Sequence, residues 1–307
     1  DVFKARREDR IAARPVALKL MHTRWAAHDD LASRFRAESE ILGALDHPGI
    51  ARLLDAGVAP QGSQYVVMEL VEGCTLDTYS RTLTTPQKLD LFLQLCDAVH
   101  YAHQNLVIHR DLKPNNVMVS NDGVVKLLDF GIAKLLAPHL ASGTAPVTRP
   151  ADRLATPEYA APEQLKGEAV STATDVYGLG VLLYFLLNGR LPFAVSGREW
   201  AEAERLICTE NPAPMDEHVP LDLQAIASVA LRKDPTGRYH SVEALADDIR
   251  RHIADHPVRA RRGEWLYPAK TFLRRHAVAC TLAAALMIVL AGSMVKLAML
   301  NQQVREE

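Results

Sequence analysis

Residues 107–131 read Val-Ile-His-Arg-Asp-Leu-Lys-Pro-Asn-Asn-Val-Met-Val-Ser-Asn-Asp-Gly-Val-Val-Lys-Leu-Leu-Asp-Phe-Gly. Two motifs lie inside this stretch. His109-Arg110-Asp111-Leu112 is followed by Asn116, and Asp129-Phe130-Gly131 comes further along the same stretch. Between them, the apolar run from Val117 to Leu128 is broken at Asn121-Asp122-Gly123. A turn sequence flanked by β-branched residues predicts a short hairpin. Such a hairpin returns the chain to where it started, so Asp111, Asn116 and Asp129 are expected in one cleft.

These residues resemble the catalytic loop and the metal-binding loop of a protein kinase. The resemblance implies an α+β, two-lobed protein-kinase-like fold, with a small β-rich N-lobe and a larger helical C-lobe. The chemistry accounts for the residue types. Phosphoryl transfer from ATP needs a carboxylate beside the attacking hydroxyl and oxygen ligands for Mg²⁺ between the phosphates. Asp111 matches the first requirement; Asn116 and Asp129 match the second. Lys113 follows the pattern of Ser/Thr kinases, and its amine would offset charge on the transferring phosphate. His109 and Phe130 are assigned to packing.

Other positions extend the resemblance over roughly residues 2–252. Lys19, in the strand-like run Val16-Ala17-Leu18-Lys19, matches the lysine that holds the nucleotide phosphates. A lone lysine on an edge strand would mean little; the downstream motifs change its weight. Glu38, with Glu40 as competitor, is the expected helix partner of Lys19, because Glu38 shares a face with Leu42. Met68-Glu69-Leu70-Val71-Glu72-Gly73 looks like the hinge. Backbone groups of Glu69 and Val71 would meet the adenine edge, Met68 would stand at the back, and Ala17 and Met118 would sandwich the ring. Plain core packing is the ordinary reading of Ala17 and Met118, and a nucleotide pocket is itself mostly apolar.

Ala160-Ala161-Pro162-Glu163 matches the end of a kinase activation segment. The resemblance implies that Thr156 shapes the substrate groove, that Glu163 pairs with Arg238, and that Asp175 holds the catalytic-loop backbone. Arg110, beside Asp111, could be neutralised by a phosphate on the activation segment. Thr144 and Thr148 are the expected autophosphorylation sites.

The remaining composition is ordinary. The 307 residues are 48% hydrophobic and 23% charged, with net charge -2, so no basic field points to nucleic acid. Cys74, Cys96, Cys208 and Cys280 form no C-x-x-C pair and read as reduced thiols. Helical patterns are expected over residues 30–45, 86–105, 175–187, 221–231 and 242–252, the last with Ser241 as N-cap. Strands are expected over 16–21, 50–58 and 64–70.

Residues 253–276 are basic, with Arg259, Arg261, Arg262, Lys270, Arg274 and Arg275. Residues 277–295 then carry no formal charge. As a helix they would span roughly 28 Å, close to the hydrocarbon thickness of a bilayer. The expected organisation is therefore N-lobe 1–73, C-lobe 74–252, basic juxtamembrane linker 253–276, one transmembrane helix 277–295, and the start of a further region at 296–307. Basic residues on the N-terminal flank place the kinase-like part on the cytoplasmic face of the plasma (inner) membrane. This layout looks like bacterial receptor-type Ser/Thr kinases. It implies protein substrates and, by analogy, a homodimer. Both ends look cut, and a kinase's Gly-rich loop is expected just before Asp1. Two alternatives stay open: a membrane-tethered pseudokinase that acts as a scaffold, and a small-molecule phosphotransferase.

Overall fold

The computed structural model describes residues 2–6, 8, 14–20, 35, 39–59, 63–130, 157–263, 267, 281–283, 285–294 and 296. The chain divides into two compact units, Asp1–Ile249 and Arg250–Glu307.

The first unit opens with an antiparallel sheet. Its strands are β1 (Val2–Ala5), β2 (Val16–Leu20), β3 (Leu53–Val58) and β4 (Gln64–Glu69), in the order β1-β2-β4-β3. Strand β4 alternates buried Gln64, Val66 and Met68 with half-exposed Tyr65, Val67 and Glu69, the period-two pattern of a strand with one face on the core. The β2–β4 register sets Ala17 opposite Met68 and Val16 opposite Glu69. Strand β3 starts three residues later than the apolar pattern suggests. Ile50 instead forms a parallel bridge to Leu127, which commits its backbone elsewhere. Residues 39–43 are helical, within the helix expected from the sequence.

A second sheet joins β5 (Gly73–Thr75), β6 (Val117–Ser120) and β7 (Val125–Leu127). Strands β6 and β7 are the expected hairpin. Gly123 sits in its turn at φ 78°, a region that favours glycine. The Gly123 amide donates to Ser120 O at 2.9 Å. Gly73 allows the close approach of β5 to β6. A Cβ there would lie 2.0 Å from the Val119 carbonyl oxygen, so no larger residue fits.

Helices make up the rest: α1 (Leu76–Tyr79), α2 (Thr85–Gln104), α3 (Pro162–Lys166), α4 (Thr172–Asn188), α5 (Trp200–Thr209), α6 (Leu221–Ala230) and α7 (Val242–Ile253). Helix α2 starts with a capping box, in which Gln87 Oε1 accepts the Thr84 N–H at 2.9 Å. Ser241 caps α7 as expected, its Oγ accepting the Ala244 N–H at 3.1 Å. Helix α4 is buried on all sides from Thr174 to Tyr184, and it packs on α2 and α6. Its Tyr177, Leu179, Leu182 and Leu183 are at most 1% exposed, and each such side chain contributes about 1.5–3 kcal/mol of hydrophobic burial. Gly178 on α4 faces Leu112, next to Asp111; the Leu112 Cβ would be 3.0 Å from a Cβ at 178. The central helix thus supports that segment by direct contact.

In the second unit, α7 ends and a 3-10 turn follows at Arg259–Arg261. Tyr267 Oη accepts the Val258 N–H at 3.1 Å, and the Arg261 guanidinium lies over the Tyr267 ring at 4.2 Å. The segment expected to cross a membrane is helical at 281–283 and 285–294. Leu282, Ile288 and Met294 there are 67%, 73% and 73% exposed. Among the described residues no helix is long and apolar enough to cross a membrane.

Candidate active site

The hairpin brings the sequence motifs together. Lys19 Nζ on β2 lies 2.8 Å from Asp129 Oδ2, so the strand lysine and the carboxylate that follows β7 form an ion pair. Lys113 Nζ lies 2.9 Å from Asp111 Oδ2. Asn116 Nδ2 donates to Asp111 O at 2.8 Å and to Asp111 Oδ2 at 2.9 Å. With its nitrogen committed to Asp111, the Asn116 amide oxygen is turned the other way. The Leu128 N–H donates to Asn116 O at 2.8 Å, which sets the Lys19–Asp129 pair beside the Asp111–Lys113–Asn116 group.

The backbone here is held under strain. Arg110 has φ 66° and Asp129 has φ 46°, both in the left-handed region that non-glycine residues avoid. Asp175 on α4 holds the first of these. Its Oδ2 accepts the His109 N–H at 2.8 Å and its Oδ1 accepts the Arg110 N–H at 2.9 Å. His103 Nε2 also reaches Asp175 Oδ2 at 2.7 Å. Gln164 Nε2 donates to Arg110 O at 2.8 Å, so Arg110 is gripped through both its N–H and its carbonyl. Strain of this kind costs on the order of 1–3 kcal/mol and persists only where the surroundings enforce it.

His109 does more than fill space. It is fully buried, its ring tilts against Phe130 at 4.8 Å, and its two nitrogens are both engaged. Nε2 lies 2.8 Å from Leu128 O and Nδ1 accepts the Asp111 N–H at 3.3 Å. This pair of bonds requires the neutral tautomer with the proton on Nε2. Burial pushes the pKa of His109 below its ordinary 6.5, against the opposing pull of Asp175. A histidine whose folded pKa is depressed stabilises the fold above 6.5 and loses that contribution as pH falls below it. Chemical denaturation followed from pH 7 to pH 5 is expected to show this loss in the wild type and a smaller one in His109→Phe.

Of the positions expected at the nucleotide, Met68 is buried and lies opposite Ala17 on the neighbouring strand, and Ala17, Glu69, Val71 and Met118 are half-buried. Glu163 and Arg238 form a bidentate ion pair, 2.8 Å for each of the two bonds, as expected. Burial raises the Glu163 pKa, but hydrogen bonds and charge from Arg238 outweigh it and hold the carboxyl below its ordinary 4.5. Glu38, Gly131, Thr144, Thr148 and Thr156 lie outside the described residues. Sequence reasoning missed the Lys126–Glu69 ion pair, at 2.9 Å; two residues so far apart along the chain leave no local pattern. The donor set suits a hard cation: the Asp129 carboxylate and the Asn116 amide oxygen are oxygen ligands of the kind Mg²⁺ takes, alongside water and phosphate.

Residues 1–249 match the Protein kinase domain family, and the chain belongs to it. It is 37% identical over 254 residues to the serine/threonine-protein kinase PknB of Mycobacterium tuberculosis, covering 80% of this chain and 40% of that protein. It is 35% identical over 251 residues to the serine/threonine-protein kinase PrkC of Bacillus subtilis, covering 79% and 37%. The chain thus spans about two fifths of the length of these curated relatives. Among solved structures, the kinase domain of M. tuberculosis PknI superposes with a TM-score of 0.62 at 25% identity, covering 82% of this chain and 90% of that one.

Proposed function

We propose that this chain is a protein serine/threonine kinase that transfers the γ-phosphoryl group of ATP to Ser or Thr hydroxyls of proteins. The observation that carries the reading is the Lys19–Asp129 ion pair set beside the hydrogen-bonded group of Asp111, Lys113 and Asn116. The relatives named as serine/threonine kinases support the class of acceptor. A cleft whose charged groups are all present favours an enzyme over a pseudokinase scaffold.

Each side chain then has a task. Lys19 releases Asp129 and holds the nucleotide phosphates, steadied by Glu38. Asp129 and Asn116 would hold Mg²⁺. When bound, the metal neutralises charge on the phosphates. Asp111 orients the acceptor hydroxyl and accepts its proton, with its carboxylate aimed by Asn116. Lys113 offsets charge on the transferring group. Ala17 and Met118 sandwich the adenine ring, Met68 backs it, and main-chain groups of Glu69 and Val71 meet its edge. Thr156 shapes the acceptor groove, and Thr144 or Thr148 takes a regulatory phosphate. Most of the rate enhancement arises from positioning and electrostatics. The test is intact mass after incubation with MgATP. Gain of phosphoryl groups that disappears in Asp129→Asn is the expected result; no gain in the wild type would overturn the reading.

The same reading extends to location. The lobes occupy 1–73 and 74–252, the linker 253–276, and residues 277–295 form a single membrane span with the catalytic unit on the cytoplasmic side of the plasma membrane. Exposed apolar side chains between Leu282 and Met294 support it, because a helix apolar on every face is stable in lipid and not in water. Two copies side by side would let one domain phosphorylate the other. Alkaline carbonate extraction is expected to leave the full-length protein in the membrane pellet; release into the supernatant would remove the span.

A further inference from the structure

Lys126 joins the hinge residue Glu69 to the strand that leads into Asp129. It sits on β7, directly opposite Met118 on β6, so both side chains lie on the same face of the hairpin. Its neighbours Val125 and Leu127 point the other way, into the core, with no exposure. Lys126 Nζ reaches Glu69 Oε1 at 2.9 Å and Oε2 at 3.0 Å. Glu69 is the last residue of β4 and opens the hinge. Its carboxylate also accepts the Arg52 N–H at 3.2 Å, and its own N–H donates to Arg52 O at 2.9 Å. Arg52 in turn forms an ion pair with Asp46.

The backbone beside this pair is stitched across the lobes as well. Leu127 N–H donates to Gly49 O at 2.8 Å and Ala51 N–H donates to Leu127 O at 2.9 Å. Just beyond Leu127 is Asp129, paired with Lys19 on β2. One end of the Lys126–Glu69 pair is therefore tied to the main chain that meets the nucleotide base, and the other to the strand that aims the metal-binding carboxylate. The lysine side chain is 18% exposed and the glutamate 34%, so the pair is partly shielded from water.

We infer that Lys126 is a positioning residue for nucleotide: its ion pair with Glu69 fixes the spacing between the hinge and the Met118–Asp129 side of the pocket. Lys126 itself touches neither the base nor the phosphates. It acts through Glu69 on the hinge and through β7 on Asp129. The inference rests on the kinase reading for its substrate, but its geometry is independent of turnover.

The test separates the two. Titration of the full-length protein with MgADP measures nucleotide affinity without catalysis, and steady-state phosphorylation gives KM for ATP and kcat. Lys126→Met keeps the aliphatic stem and removes the charge. It is expected to weaken MgADP and to raise KM for ATP by about three- to fivefold, the range that a partly shielded ion pair supports. The effect on kcat is expected to be smaller than that on KM. Lys126→Arg is expected to stay within about twofold of wild type, since it keeps the charge. The exchanged pair, Glu69→Lys with Lys126→Glu, is expected to recover part of the loss. It carries the test if Lys126→Met fails to fold. MgADP affinity unchanged in Lys126→Met, or a loss in the exchanged pair as large as in the single variant, would overturn the inference. A wild type that binds MgADP yet transfers no phosphate would remove the proposed function and leave the MgADP comparison to judge Lys126.

Discussion

Asp111→Asn is expected to lower kcat by about 10²–10⁴, the usual contribution of a positioned base, with KM for ATP close to wild type. Asp111 Oδ2 is gripped by Asn116 Nδ2 and by Lys113 Nζ, so the carboxylate is held in one orientation before substrate arrives. The replacing amide has nearly the same shape and can keep one of those bonds through its oxygen. It cannot accept a proton at neutral pH. The loop should therefore keep its form while the chemistry is lost. Steady-state kinetics with a Ser/Thr peptide, with thermal unfolding as the control, checks both halves. Near-full turnover in this variant would remove Asp111 from the mechanism.

Arg238→Met is expected to cost about 3–5 kcal/mol of stability, because it strands a buried carboxylate. Every N–H of the Arg238 guanidinium is used. Nε donates to Arg232 O, Nη1 to Glu163 Oε1 and Ala173 O, and Nη2 to Glu163 Oε2 and Lys233 O. The guanidinium also lies 4.9 Å from the Tyr177 ring, while Thr174 Oγ1 donates to Glu163 Oε1 at 2.8 Å. For a domain of this size, that loss lowers Tm by on the order of 10 °C. The pH dependence has a definite sign. A carboxyl whose folded pKa is depressed contributes stability above its unfolded value and loses it as pH falls through the folded pKa. The gap between wild type and Arg238→Met, read from urea unfolding, should therefore narrow as pH drops from 7 to below about 4. A constant gap would show that the charge on Glu163 is not what matters.

Much of this site is legible in the sequence because short-range spacing carries it. The hairpin between Val117 and Leu128 follows from a turn sequence between apolar strands, and it alone dictates that Asp111, Asn116 and Asp129 converge. The pairing of Glu163 with Arg238 and the support from Asp175 rest on family resemblance, since residues that far apart have no common period. Helix α5 leaves no clear trace; it is short, and its apolar residues Leu206 and Ile207 sit among charges. The apolar neighbours of Ile50 suggest a strand there, yet its backbone serves Leu127. The neutral state of His109 needs the three-dimensional surroundings, because a histidine's tautomer is set by what each nitrogen meets. Along the chain Lys126 is one more polar position on a hairpin, and only Glu69 beside it gives it weight.

The attachment of residues 49–51 to Leu127 has a mechanical consequence. The N-terminal lobe joins the C-terminal lobe covalently at the hinge and again through that hydrogen-bonded bridge. The Lys126–Glu69 and Lys19–Asp129 ion pairs link the same lobes through side chains, which can swing away by rotamer change, whereas the Gly49 and Ala51 bonds join main chain to main chain and part only if the backbone itself moves.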